Sequence, residues 1–128
     1  MNSDSWEKRR DPRFKVPVEI EAPQLSETPL IPEDISIGGF MVSVEKKPEN
    51  RETIACSLRV GDKNFDQCQA EVIWYRKNRD ADCEWLCGLV LLMDNNTRIE
   101  FAQELQDFVQ ELENFVEKVK SVPIFALI

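Results

Sequence analysis

Thr53-Ile54-Ala55-Cys56-Ser57-Leu58-Arg59-Val60, the turn Gly61-Asp62-Lys63-Asn64, and the return of the chain through residues 65–76 together decide the fold class. Ile54, Cys56, Leu58 and Val60 fall on one face of an extended chain, because successive strand side chains point to opposite sides. Gly61-Asp62-Lys63-Asn64 carries turn chemistry, so the two apolar-alternating runs read as a hairpin. Towards the N-terminus, Phe14-Lys15-Val16-Pro17-Val18-Glu19-Ile20-Glu21 alternates without a break and predicts another half-buried strand, with Pro17 marking an edge or a bulge. Residues 33–36 and 40–44 flank Ile37-Gly38-Gly39 as in a tight hairpin. Residues 83–93 form a last long strand interrupted by Gly88. A Pro-rich connection (22–32) and two charged loops (46–52 and 77–82) separate these runs. Six short strands without an intervening helix predict a small antiparallel barrel or a strongly curled sheet.

Flanking the strands are two segments of different character. Residues 1–13 form a polar, locally basic arm that lacks apolar periodicity and has Trp6 as its one sizeable anchor; such a segment is expected to be flexible when unbound. After the barrel (14–93), a helix is expected over 94–122. Phe101, Leu105, Phe108, Leu112, Phe115 and Val119 step at helical spacing, and Ala102, Val109 and Val116 widen the stripe. Thr97 with Glu100 matches a capping box, although Asn95 or Asn96 would cap equally well. Pro123 stops the helix before an apolar tail, residues 123–128. The stripe fits two arrangements: a helix leaning on the barrel, or a seam joining two chains into a homo-oligomer.

Composition narrows the function. Sixteen Lys and Arg against 24 Asp and Glu give a net charge of −8, which disfavours sequence-blind binding of DNA or RNA. The chain has no His, so His-dependent nucleophilic catalysis and His-ligated metals are excluded. Cys56, Cys68, Cys83 and Cys87 fit no zinc framework and read as reduced, half-buried thiols. No metal is expected. No apolar run approaches the roughly 20 residues of a membrane helix, and Met1-Asn2-Ser3-Asp4 does not open a signal peptide, so a soluble, cytoplasmic chain is expected. A binding module fits better than an enzyme.

Two segments break the pattern of ordinary strand and turn. Arg9-Arg10-Asp11-Pro12-Arg13 packs three guanidinium groups into five residues, which suits either a hydrated arm or an anion-binding one. Arginine forks pair with phosphate or with the O6/N7 edge of guanine. In Asp34-Ile35-Ser36-Ile37-Gly38-Gly39, strand geometry puts a carboxylate and a hydroxyl on one face. The paired glycines permit positive φ and a close backbone approach. A plain hairpin turn explains that hexapeptide as well.

Jointly, the two segments resemble the PilZ domain family, whose signature is RxxxR in an N-terminal arm followed by (D/N)xSxxG. Arg9 to Arg13 supplies the first motif and Asp34 to Gly39 the second. Phe40-Met41-Val42, Ala70-Glu71-Val72-Ile73-Trp74 and Gly88-Leu89-Val90 look like the family's later strands, so the resemblance covers roughly residues 7 to 115. It implies a mainly β fold, a six-stranded antiparallel β-barrel of split-barrel type with a long C-terminal α-helix. It also implies a non-catalytic receptor for the bacterial second messenger cyclic di-GMP, with no other cofactor, that signals to a separate protein partner. By analogy Arg9, Arg10 and Arg13 take guanine edges and phosphates, Asp34 and Ser36 hold the other guanine edge, and Gly39, assisted by Gly38, lets the ligand approach. Trp74 is a candidate for stacking on a base. The competing expectation is a PilZ-type adaptor that works by protein contact without nucleotide.

Overall fold

The computed structural model describes residues 13–79 and 84–121. Arg9, Arg10, Trp6, Cys83 and the apolar tail beyond Pro123 lie outside the described residues. Six strands form one antiparallel sheet: β1 (Glu19–Glu21), β2 (Asp34–Ser36), β3 (Gly39–Val44), β4 (Thr53–Val60), β5 (Lys63–Lys77) and β6 (Trp85–Leu92). Their order across the sheet is β1-β4-β5-β6-β3-β2. Among the described residues one helix, α1 (Asn95–Ser121), follows β6. The expected mainly β, six-stranded antiparallel architecture is the observed one.

Segment 14–21 differs from its expectation in an instructive way. Side chains alternate as anticipated, with Val16, Val18 and Ile20 buried. Regular pairing, however, is limited to Glu19–Glu21 against Ser57–Arg59 of β4. Pro17 has no N–H to give a ladder, and the Val18 N–H donates to the Val16 carbonyl at 2.9 Å, closing a tight turn around the proline. Before that bend, Phe14 pairs with Ile35 of β2; after it, Ile20 pairs with Leu58 of β4. Since β1 and β2 are the two edges of the sheet, this short segment spans the open side and curls the sheet into a half-barrel.

Inside lies a core of strand side chains that includes Ile20, Ile35, Val42, Ile54, Leu58, Val72 and Leu91, all essentially inaccessible. Two bulges set which residues face it. In β5, two residues separate Phe65 from Cys68 where β4 has one between Cys56 and Leu58, and Gln67 takes the left-handed φ of 59° that the extra residue requires. Further along, Ile73 is the extra residue, so the partners of Leu89 and Gly88 on β6 are Val72 and Trp74. The hairpin between β4 and β5 turns on Gly61-Asp62 alone, with Gly61 at φ 59°, so β5 starts two residues earlier than the composition suggested.

The helix leans on the barrel over its first half, as the first of the two arrangements expects. The first turns of α1 pack on β4 and β5: Phe101 and Leu105 are fully buried, and Phe101 meets Phe65 edge to face at 5.4 Å between ring centroids. Phe108, Val109 and Leu112 are half-buried against the core. Beyond them Phe115, Val116 and Val119 are exposed, so the stripe runs off the end of the barrel. The cap is neither Thr97 nor Asn95 or Asn96. Asp94 Oδ1 accepts the Thr97 N–H at 2.7 Å, placing Asp94 at the N-cap, where a carboxylate satisfies an orphan donor. Those bonds hold the Asp94 carboxyl below its ordinary value.

Leu105→Ala is expected to cost about 2–5 kcal/mol, the usual range for a buried leucine, whereas Phe115→Ala should stay within about 0.5 kcal/mol. Urea unfolding of the two variants checks this. Asp94 is stabilising in its ionised form, so its contribution is present above the unfolded carboxyl value near 3.8 and lost as pH falls through the lower folded value. Thermal melts of Asp94→Ala should therefore show a Tm deficit at neutral pH that closes in strong acid.

Candidate functional site

The bridge that closes the sheet also brings together the two motif segments. Phe14 and Ile35 exchange both backbone hydrogen bonds, at 2.8 and 2.9 Å. One residue before the bridge, the Arg13 guanidinium donates to Asp34 Oδ1 at 2.6 Å. Side-chain exposure is 40% for Arg13 and 17% for Asp34, so the pair sits on the outer wall, half open to solvent. An ion pair so placed contributes at most about 1 kcal/mol, and it uses one of the five guanidinium donors. It orients both groups while leaving them available to a ligand.

Asp34 is held by the short hairpin β2–β3, in which Ser36 pairs with Gly39 around Ile37-Gly38. Ser36 is a buried polar residue, and its hydroxyl is engaged locally. It accepts the Gly38 N–H at 3.2 Å and lies 3.5 Å from the Gly39 carbonyl, to which it donates. The Gly38 carbonyl in turn accepts the Leu91 N–H at 2.9 Å, tying the turn to β6. The expected use of the glycines needs correcting. Among the described residues the glycine with a left-handed φ is Gly61; neither Gly38 nor Gly39 adopts one. The space a side chain would need at Gly39 is filled by the neighbouring strand: a Cβ there would lie 2.1 Å from the Leu89 carbonyl oxygen. Gly39 thus serves the close approach of β6, a packing constraint invisible in the hexapeptide itself.

Trp74 reaches the outer wall because of the bulge at Ile73. Unbroken alternation from Ala70 and Val72, both buried, would have turned Trp74 into the core; the extra residue leaves it 37% exposed. Cross-strand register then sets Asp34, Met41, Gly88 and Trp74 side by side in one row across β2, β3, β6 and β5. The indole lies over Gly88, where a Cβ would come within 2.3 Å of the ring nitrogen. Gly88 interrupts the apolar run of β6 so that the ring can lie flat on the wall. Residues at matched positions of neighbouring strands are about 4.8 Å apart, so the row is roughly 14 Å long.

Two concavities adjoin this row. One, of about 520 Å³, is lined by Glu33, Met41, Arg76, Asn78, Arg79 and Leu86. The other, of about 800 Å³, separates residues 13–16 from Val109, Leu112, Val116 and their neighbours on α1. Sequence patterning marks neither Arg76, at the end of the run 65–76, nor Arg79, in a charged turn that reads as solvated surface. Cys56 and Cys87 are buried, which pushes each thiol up to about 12 and keeps it neutral. Among the described residues no group of three His, Cys, Asp or Glu side chains is placed to hold a metal ion, and no helix is long and apolar enough to cross a membrane.

A family model for the PilZ domain matches residues 7–111. Among solved structures, the fold is similar to Bacillus subtilis inhibitor of motility (MotI/DgrA), with TM-score 0.65 and 15% identity over 83% of this chain and 52% of that one. It is similar to Escherichia coli YcgR in complex with c-di-GMP, with TM-score 0.67 and 15% identity over 88% of this chain and 50% of that one. The PilZ domain with c-di-GMP of YcgR from Escherichia coli gives TM-score 0.57 and 21% identity, covering 90% of this chain and 99% of that one. The chain thus spans about half the length of MotI and of the longer YcgR chain. No curated protein matches the sequence.

Gly39→Ala should destabilise the fold by about 1–3 kcal/mol, the range for a forced overpacking, since the obstacle is backbone and cannot swing away. Urea midpoints compared with the parent check it.

Proposed function

The chain belongs to the PilZ domain family, and from that premise we propose that it is a non-catalytic receptor for cyclic di-GMP. The observation that carries this reading is the Arg13–Asp34 pair: two segments 21 residues apart, each filling one of the family's motifs, meet at 2.6 Å on one wall of the barrel. Such a pair matches guanine. The base offers O6 and N7 as acceptors to a guanidinium, and its ring and exocyclic N–H groups as donors to a carboxylate. Arg13 and Asp34 together therefore read one purine edge-on.

The remaining motif residues take graded roles. Arg9 and Arg10 supply phosphate contacts from the arm, since two phosphates need more charge than Arg13 alone provides. Ser36 and Gly38 act by setting the hairpin that presents Asp34, and Gly39 by admitting β6 behind it. Trp74, which covers Gly88 and is 37% exposed, offers a surface on which a purine can stack. The net charge of −8 does not forbid an anionic ligand, because charges more than about 8 Å away are screened at physiological salt.

Ligand capture by an arm costs about 2–5 kcal/mol of ordering, and the change in the arm's contacts is the signal. A separate protein in the cytoplasm reads that signal. The exposed Phe115, Val116 and Val119 on the outer half of α1 are the surface available to it or to a second copy of the chain.

Calorimetric titration with cyclic di-GMP tests the reading. The parent should bind at micromolar ligand, and Arg13→Ala or Asp34→Ala should each lose about 1–3 kcal/mol, a 5- to 150-fold weakening. A parent that takes up no nucleotide would hand the function to the adaptor reading.

A further inference from the structure

Past the Arg13–Asp34 pair, the outer wall continues into the groove of about 520 Å³ that contains Met41, the direct cross-strand partner of Asp34. Leu86 forms its floor with Met41; Leu86 is 8% exposed yet stands outside the barrel's main core cluster, so its burial comes from the outer wall itself. Arg76 is paired in register with Leu86, one outer position beyond Trp74 and Gly88. Arg79 follows in the turn after β5. That turn is anchored at its base: Asn78 Nδ2 donates to Ser43 Oγ at 2.9 Å, Ser43 Oγ donates to Glu84 Oε1 at 2.8 Å, and the Asn78 N–H donates to the Glu84 carbonyl at 3.0 Å. None of the ion pairs among the described residues uses Arg76 or Arg79. Glu33, at the other rim, is the one carboxylate among the described residues that line the groove.

We propose that this groove is a second guanosine-phosphate subsite, which takes the distal half of the same cyclic dinucleotide whose proximal guanine sits at Arg13 and Asp34. The inference rests on the cyclic di-GMP reading above. An apolar floor of Met41 and Leu86 accepts the flat face of a purine. Two unpaired guanidinium groups supply a phosphate contact and an O6/N7 fork, and Glu33 accepts from the base N–H groups. The described lining residues carry two positive side chains against one negative in a molecule of net charge −8, so their local sign favours an anion where the total does not. Continuity decides the occupant: Met41 belongs both to the groove and to the row starting at Asp34, so one ligand can lie across both without crossing a ridge.

Isothermal titration of cyclic di-GMP into the full chain, the Arg76→Ala/Arg79→Ala variant and Arg13→Ala tests this, with each titration repeated at two salt concentrations. Thermal melts establish that the double variant is folded, as expected for exposed positions. One nucleotide per chain is expected, with at least a tenfold loss of affinity in the double variant and a log K against log salt slope shallower by about one. The Trp74 indole N–H resonance should shift on saturation of the parent. If the folded double variant binds like the parent while Arg13→Ala does not, the groove assignment is overturned and the receptor reading stands. Two nucleotides per chain falling to one in the double variant would overturn the single-ligand span. A parent that binds none would remove both.

Discussion

A pair of backbone hydrogen bonds between Phe14 and Ile35 does two things at once. It joins the segment leading into one edge strand to the strand at the opposite edge, so a six-stranded sheet with two free edges becomes a half-barrel with a closed core. It also fixes the chain one residue upstream, where Arg13 meets Asp34. Arg13, the last residue of the RxxxR segment, is therefore held beside the Asp34 carboxylate. The Arg13–Asp34 ion pair is too exposed to hold the two segments together alone; the backbone bridge and the burial of Val16, Val18 and Ile35 do that.

The outer wall depends on irregularities in an otherwise regular sheet. Ile73, as an extra residue in β5, rotates Trp74 out of the core and into line with Gly88, Met41 and Asp34. Gly88 leaves room for the indole, and Gly39 leaves room for the Leu89 carbonyl. Small residues here let strands and rings approach, and Arg13 and Arg76 border the row that results.

Period-two alternation made the strands at 14–21 and 53–60 legible in the sequence, because one face of each lies in the core, while turn residues marked the limits of the others. Residues 53–60 follow it without exception. The stripe at Phe101 and Leu105 made the helix equally plain. Bulges were not legible: Ile73 and Gln67 carry no local mark, and counting alternate residues from Val72 gives the wrong face for Trp74. Pro17 announced an irregularity but not that the chain would turn from one sheet edge to the other there. Arg13 and Asp34 were legible as candidates through motif spacing, whereas their contact depends on a long-range bridge. Arg76 and Arg79 were hidden because an arginine at a strand end or in a charged turn looks the same whether or not a groove lies beside it.

A crystal structure of the chain with cyclic di-GMP decides whether a purine dinucleotide lies on the outer wall with one base read jointly by Arg13 and Asp34. A guanine within hydrogen-bond distance of both side chains, over the wall that runs from Asp34 towards Trp74, is the expected result. Nucleotide seated instead in the cleft between residues 13–16 and α1, with the Arg13–Asp34 pair untouched, would contradict it.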